Sequence, residues 1–314
     1  MDLSLVIPCF NEAENIALFY DMVEKSFIDK GFSYELVFVN DGSRDDTLLN
    51  LKSLVKDSKS NIQVISFSRN FGKESAIYAG LTRAKGDMVC IIDADLQQRP
   101  EVVLQMKDIL DTKPEVDCVA AFQQKRKEGK VLSSLKSCFY KIINKVSDVD
   151  FVNGASDFRL MRRSMVNAIL SMTEYHRFSK GIFSWVGFNT EHMPYEVQPR
   201  EHGETKWSFF KLFKYAIDGI VAFSTAPLKL ATFIGFLSSI LSVIYLIVVV
   251  VQKLCFGIDV PGYATIVVLL LLLGGLILFC LGIIGEYIAK IYVQMKNRPI
   301  YIEKEYFTNI DEDK

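Results

Sequence analysis

The chain has 314 residues, half of them hydrophobic, and its formal net charge at pH 7 is −1. This length allows one large domain or two. Proteins that bind the nucleic-acid backbone usually carry a basic face, so the near-zero charge argues against nucleic acid as a general partner. The apolar residues are unevenly distributed, because residues 1–200 have the composition of a mixed globular domain whereas residues 230–290 are almost entirely apolar.

Cysteine, histidine and the N-terminus each limit the class of protein. The six cysteines form no Cys-x-x-Cys pair and no disulfide-like cluster, so we expect reduced, mostly buried thiols. Three scattered histidines do not favour a zinc site. Residues 3–7 form a strand-like run that no basic segment precedes and that is too short for a secretory signal. We therefore expect the globular part of the chain to remain in the cytoplasm.

Short apolar runs alternate with amphipathic stretches over the first 123 residues. The runs predict strands at 3–7, 35–39, 62–67, 88–92 and 116–121, and the stretches predict helices at about 12–30, 45–57, 73–85 and 100–111. This alternation predicts an α/β fold with a doubly wound, mainly parallel sheet and helices on both faces. Such sheets bind ligands at the carboxyl ends of their strands.

Polar residues follow three of these strands, at residues 8–12, 40–43 and 93–97. Asp93 and Asp95 are the most informative pair, because two carboxylates directly after a buried strand offer oxygen ligands to a hard divalent cation. A nucleotide diphosphate would bind that cation in turn. The Asp-x-Asp spacing recurs at residues 148–150 and 311–313, but only the copy at 93–95 terminates a strand.

Two charge-free segments, residues 230–251 and 263–285, are each long enough to cross a hydrocarbon core of ~30 Å. Basic residues flank their outer ends, whereas the linking loop carries Lys253 against Asp259, so we expect both termini in the cytoplasm. Before them, residues 206–223 form an amphipathic pattern that predicts a helix in the membrane interface. A core helix of the globular domain is the alternative.

Residues 124–145 carry seven basic side chains and one acidic one, Glu128. A solvated basic face is one interpretation of this segment. Its place between a predicted cation site and a predicted membrane segment favours the other interpretation, a contact with anionic lipid or phosphate.

Five motifs follow one another in the order of a known family. They are residues 7–12 (Ile-Pro-Cys-Phe-Asn-Glu), 39–43 (Val-Asn-Asp-Gly-Ser), 93–97 (Asp-Ala-Asp-Leu-Gln), 156–160 (Ser-Asp-Phe-Arg-Leu) and 203–208 (Gly-Glu-Thr-Lys-Trp-Ser). With the two spans, they make the chain resemble a family 2 glycosyltransferase of the polyprenyl-phosphate type. It is similar to dolichol-phosphate mannose synthases and, more closely, to bacterial bactoprenol glucosyltransferases, over nearly its whole length.

The resemblance implies a nucleotide-sugar-binding fold of the glycosyltransferase A type in a cytosolic domain of residues 1–205. A juxtamembrane amphipathic helix at 206–229, a transmembrane hairpin at 230–290 and a cytosolic tail at 291–314 would follow. Glycines in the two spans would allow close packing between helices, so a homo-oligomer is possible and the oligomeric state stays open.

The resemblance also implies which residues bind the sugar donor. These are Pro8, Phe10, Glu12, Asp41 and Asp93, together with Arg200 and Lys206 at the ends of a lid that clamps the diphosphate. Asp93, Asp95 and Gln97 would hold Mg²⁺ or Mn²⁺, which neutralises charge on the departing nucleoside diphosphate. Structural alternatives stay open for two of them: Glu12 could complement a helix dipole, and Asp41 could make a turn and cap a helix.

Asp157 occupies the position of the family's catalytic base, just before a predicted strand at 158–161. The oxygen of a lipid phosphate is already anionic near neutral pH, so Asp157 would orient the donor or stabilise positive charge on the sugar. Pairing with Arg159 or Arg163 is the structural alternative. We predict that the acceptor phosphate is bound in the basic segment. The residues concerned are Arg126, Lys130, Ser133 and Ser134.

The predicted reaction is the inverting transfer of one sugar, with UDP-glucose as the first choice of donor, to undecaprenyl phosphate at the cytosolic face of the inner membrane. UDP-N-acetylglucosamine, GDP-mannose and a UDP-aminoarabinose derivative are alternative donors. A processive polysaccharide synthase is disfavoured because neither tryptophan follows an arginine, and a dehydrogenase because residues 8–12 lack a Gly-x-Gly-x-x-Gly turn. A non-catalytic membrane scaffold is the alternative from another class.

Overall fold

A computed structural model describes residues 1–123, 155–196, 221, 224–256 and 262–310. Within these ranges lie eight strands and eight helices. In chain order they are β1 (Leu3–Cys9), α1 (Ile16–Phe27), β2 (Tyr34–Asn40), α2 (Thr47–Asp57), β3 (Asn61–Phe67), α3 (Lys73–Arg83), β4 (Met88–Ile91), α4 (Pro100–Thr112), β5 (Cys118–Gln123), β6 (Ala155–Arg162), α5 (Arg163–Ser171), α6 (Ser179–Trp185), β7 (Thr190–Tyr195), α7 (Ala226–Phe256), α8 (Tyr263–Met295) and β8 (Glu303–Thr308).

The eight strands form one sheet in the order β7-β5-β6-β4-β1-β2-β3-β8. Parallel pairs join β1 to β2 and β4, β2 to β3, and β5 to β7. The pairs β4–β6, β5–β6 and β3–β8 are antiparallel. The predicted α/β fold with a mainly parallel sheet is therefore confirmed, and the antiparallel strands lie outside the central parallel group.

Two hydrophobic layers cover the faces of the sheet. Helices α1, α2 and α4 pack with Leu5 and Ile7 of β1 on one face, and α3, α5 and α6 pack with Val6 on the other. Side chains alternate between the faces of a strand, so a strand that is covered on both faces has an uninterrupted apolar sequence. This explains why Leu5 to Ile7 of β1 and Leu36 to Val39 of β2 are consecutive apolar residues.

Helix α3 lies unusually close to β1 because Gly80 has no side chain. A Cβ atom at this position would lie 2.3 Å from Cγ1 of Val6. The close contact fixes the helix against the sheet, with its first residue, Lys73, at the edge where the parallel strands end.

The five strands and four helices predicted in the first 123 residues are all present, with shifted ends. Strand β1 continues through Pro8 to Cys9, whereas α1 begins only at Ile16, so that residue 12 lies in a loop. Strand β6 begins at Ala155, so Asp157 lies within the strand and not just before it.

The segment after the second span contains a strand of the sheet. The predicted tail at 291–314 includes β8, which pairs antiparallel with β3 at the sheet edge. The Tyr306 hydroxyl donates a hydrogen bond of 2.8 Å to the Gln63 side chain, and the Tyr301 ring stacks on Phe67 at 4.8 Å between centroids. Strand β8 was not predicted, because its partner lies more than 230 residues away in the chain and local sequence carries no signal of that pairing.

Helices α7 and α8 are long and apolar enough to cross a membrane, over Ala226–Gln252 and Thr265–Met295. Their apolar side chains are exposed, as at Phe233 and Leu271, and an apolar surface of this extent requires a covering partner. Helix α8 runs to Met295, beyond the predicted end of the hairpin at 290. The predicted amphipathic segment at 206–223 lies almost wholly outside the described residues.

Candidate active site

A cavity of about 300 Å³ opens where β1, β2 and β4 end. The three polar strand ends of the sequence meet there, as expected from parallel strands. Six of the predicted site residues line the cavity: Pro8, Phe10, Glu12, Asp41, Asp93 and Asp95. Gln97 lies beside it, where its backbone N–H donates a hydrogen bond of 3.2 Å to Oδ1 of Asp95.

The loops after β1 and β2 are bound to each other by hydrogen bonds. Asn11 has a φ of 56°, in the left-handed region that asparagine tolerates better than most residues. Its backbone N–H donates to Oγ of Ser43 at 3.0 Å, and its side-chain oxygen accepts from the Arg44 N–H at 2.9 Å. These bonds fix the wall of the cavity that Pro8 and Phe10 form.

Glu12 belongs to this loop and not to helix α1. Its backbone N–H donates to Oγ1 of Thr47 at 2.8 Å, and its carboxylate accepts a 2.6 Å hydrogen bond from the Asn15 side chain. Glu12 precedes the first turn of α1, which contains no acidic residue, and it lines the cavity. A contact of Glu12 with the donor remains a prediction.

Asp41 is buried and ties the loop after β3 to the cavity. Its Oδ1 accepts from the Phe71 N–H at 2.6 Å, and its Oδ2 accepts from the Gly72 N–H at 2.9 Å. Burial raises the pKa of Asp41 above its usual value, against the opposing effect of these two N–H donors. The sequence did not indicate this anchoring role, and a contact of Asp41 with the donor nucleoside remains a prediction.

Gly42 permits the close approach of the two loops that Asp41 connects. It has a φ of +64°, and a Cβ atom there would lie 2.4 Å from the carbonyl carbon of Arg69. Only glycine satisfies both conditions without strain.

The Asp-x-Asp segment makes a tight turn after β4, with Leu96 at a φ of 62°. Gln98, only 5% exposed, holds this turn from within. Its side-chain oxygen accepts from the Asp93 N–H at 2.9 Å, and its side-chain N–H donates to Oδ2 of Asp93 at 3.2 Å. Gln98 was missed in the sequence because it follows the acidic motif and carries no charge.

Lys73 joins two of the predicted acidic residues. Its Nζ lies 2.6 Å from Oδ1 of Asp93 and 3.4 Å from Oδ2 of Asp157. Strand β6 runs antiparallel to β4 with Arg159 opposite Ile91, so two residues further on Asp157 comes to face Asp93. The partial burial of Lys73 disfavours its charged form, but the carboxylates of Asp93 and Asp157 outweigh that effect and raise its pKa.

Asp157 is ionised within a cluster of positive charge. Burial raises its pKa, but Lys73, Lys180 and Arg159 outweigh this effect and hold the pKa below its usual value. Asp157 forms its ion pair with Lys73, and not with Arg159 or Arg163 as the structural alternative proposed. The Arg159 guanidinium donates to the Ser156 carbonyl at 3.0 Å and lies 3.7 Å from the centre of the Phe183 ring, and Arg163 donates to the Gly86 carbonyl at 2.9 Å.

Glu74 is a further acid of this region that the sequence did not indicate. Its carboxylate accepts hydrogen bonds from the backbone N–H of Ser179, at 2.9 Å, and from the hydroxyl of the same residue. Burial and the negative charge of Asp157 raise the pKa of Glu74 to about 7, although the bonds from Ser179 oppose the rise. Lys73 and Glu74 open α3 and look like ordinary residues at the start of a solvent-facing helix, so their location could not be read from the sequence.

The acidic residues of the cavity suit a cation that binds together with phosphate. Among the described residues, no three or more His, Cys, Asp and Glu side chains form a group that could hold a metal ion by itself. A magnesium ion needs only one or two carboxylates when substrate phosphates supply further oxygen ligands. Asp93 and Asp95 offer such oxygens, and Oδ1 of Asp93 already forms an ion pair with the ammonium of Lys73.

Several predicted site residues lie outside the described part of the chain. They are Arg126, Lys130, Ser133 and Ser134 for the acceptor phosphate, and Arg200 and Lys206 for the donor diphosphate. Their roles remain predictions.

The mainly parallel sheet, with acidic residues around a cavity at its carboxyl edge, defines the class of nucleotide-sugar-binding glycosyltransferases of the A type. The sequence pattern of "Glycosyl transferase family 2" matches residues 4–170, and that of "GtrB C-terminal hairpin" matches residues 226–291. The chain belongs to glycosyl transferase family 2, which confirms the predicted family and the prediction that the protein is a glycosyltransferase.

Two relatives match this chain over nearly its whole length. The putative glycosyltransferase CsbB of Bacillus subtilis (strain 168) is 45% identical over 96% of this chain and 91% of its own. The SfII prophage-derived bactoprenol glucosyl transferase of Shigella flexneri is 40% identical over 97% of this chain and 98% of its own. Among solved structures, glucosyl-3-phosphoglycerate synthase from Mycobacterium tuberculosis, in complex with Mn²⁺, uridine diphosphate and glucosyl-3-phosphoglycerate, has a TM-score of 0.48 at 18% identity, with 70% of this chain and 77% of that chain covered.

Proposed function

We propose that the protein transfers a single sugar, with UDP-glucose as the first choice of donor, to undecaprenyl phosphate at the cytosolic face of the inner membrane. One observation carries the proposal. The carboxylates of Asp93 and Asp95 line a cavity at the sheet edge, and Lys73 joins Asp93 to Asp157, in a chain that also has two helices of membrane-spanning length. The bactoprenol glucosyl transferase at 40% identity supports the choice of sugar and acceptor.

The donor would lie along the cavity from Phe10 to Asp95. Pro8 and Phe10 form the wall against which a planar base can pack, and Asp41 and Glu12 offer carboxylates beside it. Asp93, Asp95 and, beside them, Gln97 would hold Mg²⁺ or Mn²⁺ together with the phosphate oxygens. When bound, the cation acts as a Lewis acid that neutralises charge on the leaving nucleoside diphosphate.

The reaction is a displacement at the anomeric carbon of the sugar. An anionic oxygen of the lipid phosphate forms the new bond to that carbon, the bond from the carbon to the donor phosphate oxygen breaks, and the nucleoside diphosphate leaves with the electron pair. In-line attack inverts the configuration. The attacking oxygen of the lipid phosphate is already anionic near neutral pH, so the reaction needs no strong base.

The lowered pKa of Asp157 suits this mechanism. A carboxylate that Lys73, Lys180 and Arg159 keep ionised is a weak proton acceptor. Asp157 would therefore orient the donor or stabilise the positive charge that develops on the sugar. The acceptor phosphate would be held by Arg126 and Lys130, with hydroxyl bonds from Ser133 or Ser134.

A short linker connects helix α8 to the last strand of the sheet, β8. Only residues 296–302 separate the end of α8 from the start of β8. A linker of this length spans at most about 25 Å, which limits the distance between the end of α8 and the lateral edge of the sheet that β8 forms. Together with the basic residues that flank the spans, this supports cytoplasmic termini and a site within reach of a lipid head group.

The test is the synthesis of a labelled lipid. Membranes that contain the full chain would be incubated with undecaprenyl phosphate, labelled UDP-glucose and Mg²⁺ or Mn²⁺, and the lipids extracted. We expect a labelled product that chelation of the metal abolishes. A product only from UDP-N-acetylglucosamine, GDP-mannose or UDP-aminoarabinose would change the donor, and no product from any of these donors would favour the non-catalytic scaffold.

A further inference from the structure

Lys73 occupies a position that the proposed reaction does not explain. Its ammonium lies between two carboxylates, 2.6 Å from Oδ1 of Asp93 and 3.4 Å from Oδ2 of Asp157. It also lines the cavity where the donor diphosphate would bind. A lysine here contacts one of the two carboxylates that would hold the divalent cation.

Both oxygens of Asp93 already have partners. Oδ1 accepts from Lys73, and Oδ2 accepts from the Gln98 side chain at 3.2 Å. A cation that binds Asp93 alone competes with the ammonium of Lys73 for Oδ1, and it meets a cluster of carboxylates whose negative charge Lys73 has partly neutralised. Both effects weaken binding of the free cation.

A nucleoside diphosphate changes this balance. Its phosphates bring additional oxygen ligands for the cation, and they also offer the ammonium of Lys73 another anionic partner. The side chain of Lys73 is 43% exposed, and lysine carries its charge on a flexible stem, so it can turn from Asp93 towards a phosphate without movement of α3.

We propose that Lys73 makes binding of the divalent cation dependent on the donor, because its ammonium takes the place of the cation at Asp93 until a nucleoside diphosphate arrives. The inference rests on the proposed function, since it assumes that Asp93 faces the cation. Lys73 is a positioning residue in this scheme: it keeps Asp93 and Asp157 in place while the cavity is empty, and the cation and the diphosphate enter together.

Binding of Mn²⁺ to the full chain in detergent tests this directly, with the electron paramagnetic resonance signal of free Mn²⁺ as the readout and uridine diphosphate as the added nucleotide. We expect the wild type to bind Mn²⁺ weakly alone and at least tenfold more tightly with the nucleotide. In Lys73→Met the carboxylates lose their internal cation, so Mn²⁺ alone should bind roughly tenfold more tightly than in the wild type. The effect of the nucleotide should shrink accordingly.

Two variants separate this role from a general effect of charge or folding. Lys73→Arg keeps the positive charge and should restore dependence on the nucleotide. Lys52→Met removes an ion pair of similar length, 2.7 Å to Glu305, at the far edge of the sheet and should behave as the wild type does. Retention of the wild-type melting temperature in Lys73→Met shows that the variant is folded.

Two results would overturn the inference in distinguishable ways. Equally tight binding of Mn²⁺ by the wild type with and without uridine diphosphate, or no change in Lys73→Met, refutes the role of Lys73 and leaves the cation in the proposed reaction intact. Failure of the wild type to bind Mn²⁺ with either uridine diphosphate or guanosine diphosphate removes the cation site itself, and the inference with it.

Discussion

Glu74 accepts a hydrogen bond of 2.9 Å from the backbone N–H of Ser179, and this bond joins the first turn of α3 to the start of α6. Burial and the nearby charge of Asp157 raise the pKa of Glu74 from 4.5 to about 7. The folded protein therefore binds this proton more tightly than the unfolded chain does, and stability falls as the pH rises from about 4.5 to 7.

The variant Glu74→Gln should remove this component of the pH dependence. Glutamine resembles the protonated acid and still offers an oxygen to Ser179, so the variant should gain up to roughly 3 kcal/mol relative to the wild type at pH 8 and little at pH 4. Unfolding by denaturant at the two pH values measures it. An equal change at both pH values would show that folding does not raise the pKa of Glu74.

Asp95→Ala should reduce transfer of sugar by roughly 100-fold or more, because it removes a charged ligand from the site where charge develops on the leaving group. Insertion into the membrane should be unchanged, since Asp95 lines the cavity and belongs to neither of the two apolar helices. The measurement is labelled lipid per amount of membrane-embedded protein. Asp111→Asn, which breaks an exposed ion pair with Lys107, is the matched control. Wild-type turnover by Asp95→Ala would refute the role of this residue.

Asp157→Asn should lower kcat roughly 100-fold with a smaller effect on the KM for the donor, because the charge acts mainly in the transition state. Since the pKa of Asp157 lies below its usual value, its ionisation should leave no limb in the rate profile between pH 6 and 8. An acidic limb in this range that disappears in Asp157→Asn, yet persists in Glu74→Gln, would instead identify Asp157 as a base with a raised pKa.

Gly80→Ala should destabilise the protein by about 1–3 kcal/mol, since the new methyl group would collide with Cγ1 of Val6 and push α3 away from the sheet. Thermal unfolding measures the change. The double variant with Val6→Ala supplies the missing space and should be less destabilised than the sum of the two single variants. Strict additivity of the two effects would argue that the contact between helix and strand is not tight.

The sequence predicted the elements whose pattern is local. Strands β1 to β5 are short, mostly apolar runs between turn residues, and the acids that follow β1, β2 and β4 had to meet once the strands were parallel. What it could not predict depends on pairing across the chain. The approach of Asp157 to Asp93 results from the antiparallel register of β6 on β4, and the contact of Glu74 with Ser179 joins helices that nothing local connects.

The same limit applies to residues whose type suggests a different role. Lys73 resembles a solvent-facing lysine at the start of a helix, yet it lies between two carboxylates. Asp41 was predicted from its motif, but its bonds to the Phe71 and Gly72 amides depend on how the loop after β3 folds back. Charge and position at a strand end are visible in a sequence, whereas the partner of a charge is not.

Strand β8 has a consequence for biosynthesis. Since β3 acquires its outer neighbour from residues that follow both apolar helices, the ribosome must translate the whole hairpin before the sheet is complete. Until then the edge of β3 has open hydrogen-bonding groups, which are prone to pair with other chains. Both apolar helices are therefore synthesised before the sheet can be completed. A chain that ends before β8 would lack the outer strand of the sheet.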